Sequence, residues 1–355
     1  MLCGIIGCGR NAEEMHIPAI GGIEGLQIKA AHDINKERLK DFAGRHDITN
    51  YFDNLNNFFD FCSDVDFIII SSPGFTHFKL CEEALGRKFN VLVEKPVTLN
   101  LQDAITLRDM AKRYNRKLGV MQNYRFRDPI IKAKKSQNAG IIGQVTQFNS
   151  TFHGQSLFNE PTSWSWEERA NKTLLYEMMI HLLDLQVYFA GPVKRVIGSH
   201  IKVDHILKTT THIFALVEHA NQAIGIVDFQ LFSSSNYIGF EIFGTANDVK
   251  VKLQPHYVRI YSGTVNPIDE IYYDWKRIWD FGLEVLKEKF FKAKVKRRAK
   301  SHYALIKLFV QSIQKKQPFP VDIENVIPTM EYAQMLSDLV YEKEQVLISE
   351  NPNKK

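Results

Sequence analysis

The chain opens on LCGIIGCGRNA, residues 2–12, and much of its architecture follows from this stretch. The apolar run Leu2 to Ile6 is typical of a β-strand, and the residues from about Ala12 onward have the pattern of a helix. Between them stands G-x-G-x-x-A. Its first glycine permits a tight turn, its second admits a pyrophosphate to the backbone, and its alanine lets helix and strand pack closely. Because a helix amino end presents unpaired N–H groups, we predict a dinucleotide site at Gly7, Gly9, Arg10, Asn11 and Ala12.

A second apolar run, Leu26 to His32, ends in an acid, Asp33, 24 residues after Gly9. An acid at this place can bind the ribose hydroxyls of a dinucleotide, and it would repel a 2′-phosphate. The next residues, Ile34 and Asn35, supply no cation to accept one. The sequence therefore favours NAD over NADP. The alternative is a glycine turn and a helix-capping Asp in an unrelated α/β domain.

A third motif, VLVEKPV at residues 91–97, joins an apolar run to an acid and a base. If the run is a parallel strand buried on both faces, its charged end emerges at the carboxyl edge of the sheet, where ligands bind in open α/β folds. Pro96 cannot extend the hydrogen-bond ladder and restricts Lys95 to an extended conformation. We therefore expect Lys95 to present a positioned amine. A solvated lysine at a strand end is the alternative.

Further strand patterns alternate with helical ones along the first third of the chain. Val65 to Ser71 precedes the turn SPGFTH at 72–77, and Leu118 to Gln122 precedes NYRF at 123–126. Strands separated by helices predict a parallel, doubly wound sheet. Arg125 should then lie near the same edge as Lys95, either at the site or paired with a carboxylate at a domain junction.

Taken in order, these motifs resemble the glucose-fructose oxidoreductase / inositol dehydrogenase / MocA family, and the resemblance covers nearly the whole chain. It implies an α/β plus α+β architecture: an N-terminal Rossmann domain and a C-terminal domain with an open antiparallel sheet. It also implies nicotinamide-dependent oxidation or reduction of a sugar or cyclitol carbon. The residues expected to contact the cofactor beyond the glycine turn are Asp33, Ser72, Pro73, His77, Glu94 and Lys95.

The pattern changes to β-strands after a basic helical stretch, Pro129 to Gln137, and a junction near Gly140 to Gly143. We predict an NAD-binding domain at 1–125 and a substrate-binding and oligomerisation domain at 126–355, with C-terminal helices able to pack back on the first. Both faces of the second sheet carry apolar residues, which predicts a homodimer or homotetramer through this sheet. The predicted strands are Gln144–His153, Val193–Val203, Thr209–Glu218, Gln222–Leu231, Asn236–Gly244 and Asp248–Leu253.

An apolar helix predicted from Leu174 to Phe189 carries a polar stripe of Glu177, His181, Asp184 and Tyr188. The stripe is either an internal ion-paired seam, the solvent side of the helix, or part of a site. The family resemblance implies that the acid, the histidine and the Asp face the nicotinamide. Glu177 stands where the family has Asp, and Asn171-Lys172-Thr173 lacks the family's glycines, so the substrate and the role of the acid stay open.

These residues give a mechanistic hypothesis with Lys95, His181 and Glu177 as catalytic residues. His181 is the better base near neutral pH. A charged Lys95 would stabilise the developing alkoxide, with Glu94 orienting it. We expect Arg125, Asp184 and Trp166 to contact the substrate. Two rival classes are a non-catalytic NAD-binding regulator or scaffold, and a hydrolase that uses NAD as a transient redox carrier in glycosidase chemistry.

Residues 263–300 interleave aromatic and basic side chains. One interpretation is a helix that packs its aromatic residues on the sheet and exposes its lysines. The others are a cradle for a phosphate-bearing substrate and contact of 275–300 with an anionic membrane surface. Cations at Arg125, Arg169 and the run Lys292 to Lys300 favour a sugar that carries a phosphate or a nucleotide diphosphate.

Composition limits the classes of protein to which the chain can belong. The net charge of +5, from 45 basic and 40 acidic residues, is too small to argue for nucleic acid. The four cysteines and twelve histidines show no metal-ligand spacing, so we predict no metal and a reduced, cytoplasmic protein. The opening apolar run is too short for a signal peptide, and no apolar run is long enough to span a membrane.

Overall fold

The computed structural model describes residues 1–154, 174–204, 209–234, 236–253, 256–261 and 299–350, together with eight residues between 271 and 283. The chain divides into two compact units. The first combines Met1–Arg127 with Gly282–Ile327, and the second combines Asp128–Phe281 with Pro328–Lys355.

The first unit is built on a six-stranded sheet with the order β3-β2-β1-β4-β5-β6. Every pairing in it is parallel, and the order is that of a Rossmann dinucleotide-binding domain. The predicted doubly wound sheet is therefore confirmed. Its strands are β1 Leu2–Ile6, β2 Gln27–His32, β3 Tyr51–Phe52, β4 Phe67–Ile70, β5 Asn90–Val93 and β6 Leu118–Val120.

Helices connect these strands, and asparagine side chains begin three of them. Asn35, Asn54 and Asn100 each accept a hydrogen bond from the backbone N–H three residues later, which satisfies a donor that the first helical turn leaves open. The helical segments are Ala12–His16 (a π-helical turn) continued by Ile17–Gly21, then Lys36–Arg45, Leu55–Phe61, His77–Gly86 and Leu101–Tyr114.

The helix Lys300–Gln314 belongs to the first unit although it follows the second sheet in sequence. The Phe309 ring packs edge-on against Phe67 at 5.4 Å and Phe319 at 5.1 Å between centroids. At Gly119 an added Cβ would lie only 2.7 Å from Phe319 and 2.9 Å from Phe309. Glycine in β6 thus allows this helix to approach the sheet closely.

The second unit contains a seven-stranded sheet with the order β13-β12-β11-β7-β10-β9-β8. It is antiparallel except for the pair β10 and β7, which is parallel, so the predicted antiparallel sheet is a mixed sheet with one parallel pair. The long connection from β7 to β8 includes a helix, and β8 runs in the same direction as β7. The chain then reverses direction twice, between β8 and β9 and between β9 and β10, so β10 is parallel to β7. The strands are β7 Val145–Gly154, β8 Val193–Asp204, β9 Thr209–His219, β10 Ile224–Leu231, β11 Tyr237–Gly244, β12 Asp248–Leu253 and β13 His256–Tyr261, the last not predicted.

Helices cover one face of this sheet. Gln186 of the helix Ile180–Ala190 donates to the Phe148 carbonyl at 3.0 Å and accepts from the Tyr332 hydroxyl at 2.8 Å. Tyr332 lies on the long helix Ile323–Glu350, whose residues from Pro328 onward belong to this unit. The remaining helix is Asp128–Asn138, preceded in the first unit by the 3₁₀ turn Asn123–Phe126. Within the described residues, no helix combines the length and apolarity that crossing a bilayer demands.

The aromatic and basic segment differs from its simplest interpretation. Tyr272, Trp275 and Trp279 are 60%, 67% and 61% exposed. The expectation that the segment packs its aromatic side chains on the sheet is therefore wrong for these three residues. Its basic run from Lys287 to Arg298 lies outside the described residues.

Candidate functional site

The glycine turn after β1 lies against the end of β4. Gly7 has φ +92°, and an added Cβ would stand 2.6 Å from the carbonyl carbon and oxygen of Ser71. Only glycine fits this conformation and this approach. At Gly9 an added Cβ meets nothing within 4 Å, so space beside its backbone is open to a phosphate. Arg10 is exposed and its Nε forms an ion pair with Glu14 at 2.9 Å.

Asp33 closes the turn from the end of β2. Its carboxylate accepts from the backbone N–H of Cys8 at 2.9 Å and of Asn35 at 2.8 Å. Arg38 donates to both oxygens, from Nε at 3.0 Å and from Nη2 at 2.8 Å. Burial would raise the pKa of Asp33, but the hydrogen bonds from Arg38, Asn35 and Cys8 outweigh burial and lower it. The acid is therefore ionised and fixed beside the glycine turn.

Arg38 is a residue that the sequence analysis missed. Only the two residues after Asp33 were considered as sources of a cation. Asn35 caps the next helix, and this capping places the Arg38 side chain back over Asp33. A capped helix start followed by an arginine three residues later is the signal that would have found it.

The turn after β4 is tied to the turn after β5 by His77. Its Nδ1 lies 2.6 Å from the Pro96 carbonyl oxygen, and its Nε2 lies 2.9 Å from that of Ser72. The ring is 1% exposed, and burial lowers its pKa. This geometry gives His77 a structural role between the two turns. Ser72 lies half-buried with its hydroxyl 2.7 Å from that of Thr76, while Pro73 is exposed.

Glu94, at the end of β5, is the buried centre of the site. Its Oε1 lies 2.8 Å from His16 Nε2 and 3.3 Å from His302 Nε2. Burial would raise the pKa of Glu94, but the hydrogen bonds from His16 and His302 outweigh it and hold that pKa well below its usual range. An ionised carboxylate only accepts hydrogen bonds, so both imidazoles donate from Nε2. Its Oε2 accepts from the backbone N–H of Lys95 at 3.3 Å.

His16, Glu94 and His302 also carry donor atoms of the types that bind metal ions. These atoms lie within 4.8 Å of one another, and they form the one such group among the residues that the structure describes. Because both Nε2 atoms lie within hydrogen-bonding distance of one carboxylate oxygen, the same group forms a hydrogen-bonded triad. The expectation of no metal stays a prediction. Sequence reasoning found Glu94 but neither histidine.

Lys95 and Arg125 both follow strands of the first sheet. Lys95 is half-buried directly after Glu94, and its peptide bond to Pro96 is cis. Arg125 is 8% exposed in the 3₁₀ turn after β6, so most of its side chain is buried. The strand ends are level, since Ile6 is in register with Ile70 and Ile70 with Val93. The glycine turn and Lys95 therefore leave the sheet at the same edge.

Two residues of the predicted polar stripe, His181 and Asp184, lie on the helix Ile180–Ala190, which covers the second sheet. His181 is 8% exposed, and Asp184 is fully buried and accepts from the Thr329 hydroxyl at 3.2 Å. The alternative that the stripe is the solvent side of the helix is thus wrong for His181 and Asp184. Glu177 lies in the π-helical turn Leu174–Met179, and its side chain lies outside the described part, as does the whole of Trp166.

Several proteins with sequences similar to this chain are named as oxidoreductases or dehydrogenases. An uncharacterized oxidoreductase of Escherichia coli, YdgJ, is 25% identical over 277 residues, which are 77% of this chain and 78% of the relative. The glucose-6-phosphate 3-dehydrogenase of Bacillus subtilis is 28% identical over 193 residues, about half of each chain at 52%.

Solved structures with the same fold include two that act on or bind UDP-sugars. The WlbA dehydrogenase of Bordetella pertussis, solved with NADH and UDP-GlcNAcA, superposes with a TM-score of 0.77 at 15% identity and covers 95% of this chain and 96% of its own. The UDP-N-acetylglucosamine 3-dehydrogenase GnnA of Acidithiobacillus ferrooxidans gives 0.73 at 19% identity, covering 95% and 97%. At these identities the likeness establishes the fold.

Models of two protein domains match most of the chain. Residues 1–122 match the NAD-binding Rossmann fold of an oxidoreductase family, and residues 130–250 match the C-terminal domain of the same family. The sheet order, the glycine turn with Asp33 and the Glu94-Lys95-Pro96 motif agree with the first match. The chain therefore belongs to the GFO/IDH/MocA family of NAD-binding oxidoreductases.

Proposed function

We propose that this protein transfers hydride between NAD and a ring hydroxyl or keto carbon of a sugar that carries a phosphate or a nucleotide diphosphate. The observation that carries the proposal is the shared sheet edge of the first unit. There the glycine turn and Asp33 form a dinucleotide site, and Lys95 follows the end of β5 two strands away from β1. A positioned amine beside a nicotinamide site suits oxidation at a hydroxyl-bearing carbon.

The proposed chemistry divides between two side chains. NAD, when bound, accepts the hydride in the direction of oxidation. His181 removes the hydroxyl proton, since an imidazole titrates close to neutral pH. The Lys95 ammonium stabilises the negative charge that develops on the oxygen. Glu177 assists His181, and Arg125, Asp184 and Trp166 serve the substrate in this proposal.

Two observations support a phosphorylated or nucleotide-linked substrate over a neutral polyol. One relative is a glucose-6-phosphate 3-dehydrogenase, and two proteins of the same fold are described with UDP-sugars. The chain also holds cations beyond those that NAD requires, at Arg125 and Arg169 and in the run from Lys292. The guanidinium fork donates two parallel hydrogen bonds to a phosphate.

A substrate panel tests this function. We expect NADH absorbance to rise when the protein and NAD meet a sugar phosphate or nucleotide sugar, and to stay flat with free sugars and inositols. With NAD present, a true substrate should also raise the melting temperature, because ligand at a hundredfold excess over Kd adds about 2.7 kcal/mol of stability. UDP alone is the control for the nucleotide.

Each rival function has its own outcome in this panel. Stabilisation by NAD without turnover of any sugar would favour the regulator or scaffold. Cleavage of an aryl glycoside without net NADH would favour the hydrolase. Turnover of a neutral cyclitol or free sugar in place of the charged ones would overturn the phosphate assignment. The presence of both Lys95 and His181 favours the enzyme.

Substitution of the two proton-handling residues tests the mechanism. We expect Lys95→Met to abolish turnover while NAD still binds, because methionine is also unbranched but lacks the ammonium group with its charge and its N–H donors. His181→Ala should lower kcat by about 10²- to 10⁴-fold with little change in NAD affinity. Steady-state kinetics and NAD titration measure both. Unchanged turnover in Lys95→Met, or a change in KM alone for His181→Ala, would contradict the assigned roles.

The contacts of Asp33 make cofactor preference testable by a pair of variants. We propose that the chain prefers NAD to NADP, since an ionised Asp33 repels a 2′-phosphate. Asp33→Ser should reduce this preference, because it removes the repulsion and releases Arg38 to bind the phosphate. Asp33→Ser combined with Arg38→Ala should lose the gain in NADP affinity. Fluorescence titration with both cofactors measures this, and tighter binding of NADP by the wild type would contradict it.

We also propose a homodimer or homotetramer in the cytoplasm, formed through the second sheet. The support is the sheet face opposite the helices, where Phe214 is 41% exposed while its neighbours Ile213 and Ala215 are buried on the other face. The four cysteines are free and buried, as in a reducing compartment. Light scattering should give a multiple of 41.0 kDa, and Phe214→Glu should dissociate it. A wild-type monomer at micromolar concentration would refute the assembly.

A further inference from the structure

We propose that His16 and His302 are positioning residues for Lys95, which act by holding Glu94 as a buried carboxylate whose second oxygen fixes the Lys95 backbone. The inference rests on the proposed function, since it assigns a purpose to the support of Lys95. Neither histidine touches the reacting atoms in this account. Their effect passes through Glu94.

The geometry brings three distant parts of the chain to one carboxylate. His16 ends the π-helical turn that follows the glycine motif, and His302 lies in the first turn of the helix Lys300–Gln314. His16, His302 and Glu94 are 0%, 4% and 6% exposed. The two imidazole rings meet edge to face, with centroids 5.4 Å apart. The two rings shield Oε1 of Glu94 from water. Hydrogen bonds from the imidazoles therefore stabilise its negative charge.

A neighbouring amide fixes which nitrogen of His302 carries the proton. Asn123 Nδ2 lies 3.5 Å from His302 Nδ1 and 3.4 Å from the Ser301 hydroxyl. An amide N–H₂ group only donates, so it selects the tautomer in which Nδ1 accepts and Nε2 donates to Glu94. Burial lowers the pKa of His302 against the pull of Glu94, which keeps this ring neutral.

The other oxygen of Glu94 connects the triad to Lys95. Oε2 accepts from the Lys95 backbone N–H at 3.3 Å, and the Glu94 backbone N–H donates to the Ile70 carbonyl at 2.9 Å. The residue is therefore held on both sides, by β4 through its backbone and by the imidazoles through its side chain. The orientation of Lys95 follows from that of Glu94. A protonated or rotated Glu94 would release the lysine from this constraint.

The charged and titratable groups around the triad determine its response to pH. Besides the two histidines of the triad itself, they are Lys95, His77 and, near His302, Arg127. Glu94 has a folded-state pKa below its unfolded value, so its ionised form adds stability above the unfolded pKa and loses this contribution as pH falls through the folded pKa. Replacing His302 by leucine removes a donor and raises the pKa of Glu94.

The test compares His302→Leu with wild type, with His302→Gln, which retains an N–H donor, and with His46→Leu. His46 forms a half-exposed pair with Glu13 at 2.9 Å in the same unit and is the matched control. We expect the melting temperature of His302→Leu to fall below wild type at neutral pH. The gap should narrow as pH falls below the ordinary glutamate pKa of about 4.3, because wild type then progressively loses the stability that ionised Glu94 contributes, and the variant has less of it to lose. The melting temperatures of His302→Gln and His46→Leu should change with pH in the same way as that of wild type.

Kinetics on the same variants report on Lys95. We expect His302→Leu to lower kcat by about ten- to a hundredfold with NAD affinity unchanged, because a small misplacement of a catalytic group is costly, and His302→Gln to restore most of it. A gap in melting temperature that does not vary with pH, or an unchanged kcat, would overturn the inference. If His302→Leu does not fold, the same two measurements on Glu94→Gln decide. We expect a lowered kcat and a gap in melting temperature that narrows as pH falls, because glutamine does not titrate while wild type loses the contribution of ionised Glu94.

The outcomes separate this inference from the proposed function. The melting-temperature measurement needs no substrate. A narrowing gap in a wild-type protein that turns over no sugar would support the charge on Glu94 and overturn the proposed function. If wild type and His302→Leu turned over the substrate equally fast, the proposed function would be supported and the role of the triad would be overturned.

Discussion

The carboxylate of Glu94 is the interaction on which the organisation of the first unit depends. A buried charge is costly unless it is paired and hydrogen-bonded, and Glu94 satisfies this requirement with two imidazoles and a backbone N–H. The glycine-turn helix supplies one imidazole and the helix Lys300–Gln314 supplies the other. The cofactor turn, the strand that leads to Lys95 and a helix from far along the chain are thereby fixed around one charge.

Close backbone approach is the second constraint at this edge. Gly7 lies so near Ser71 that a side chain cannot be added, and His77 bridges the carbonyls of Ser72 and Pro96. The turns after β1, β4 and β5 are thus packed against one another. A rigid edge of this kind can hold a dinucleotide and a catalytic amine in a constant relation, which is the requirement for hydride transfer.

Sequence reasoning succeeded where the signal is local. The strand Leu2–Ile6, the glycine turn, the place of Asp33 and the end of β5 before Glu94 all follow from spacing of a few residues. It missed contacts made by distant residues, since His302 is 208 positions from Glu94 and nothing in the sequence connects them. The parallel pair β10 and β7 was missed for the same reason, because strand direction depends on the crossover between β7 and β8.

The tautomers of His16 and His302 test the account most directly. In ¹⁵N-resolved NMR of the histidine rings at neutral pH, we predict that both Nε2 atoms carry a proton, and that the proton of each is hydrogen-bonded to Glu94. Both signals should shift in Glu94→Gln. An unprotonated Nε2 on either ring would mean that Glu94 is not the ionised acceptor, and it would contradict the claim that this carboxylate organises the site.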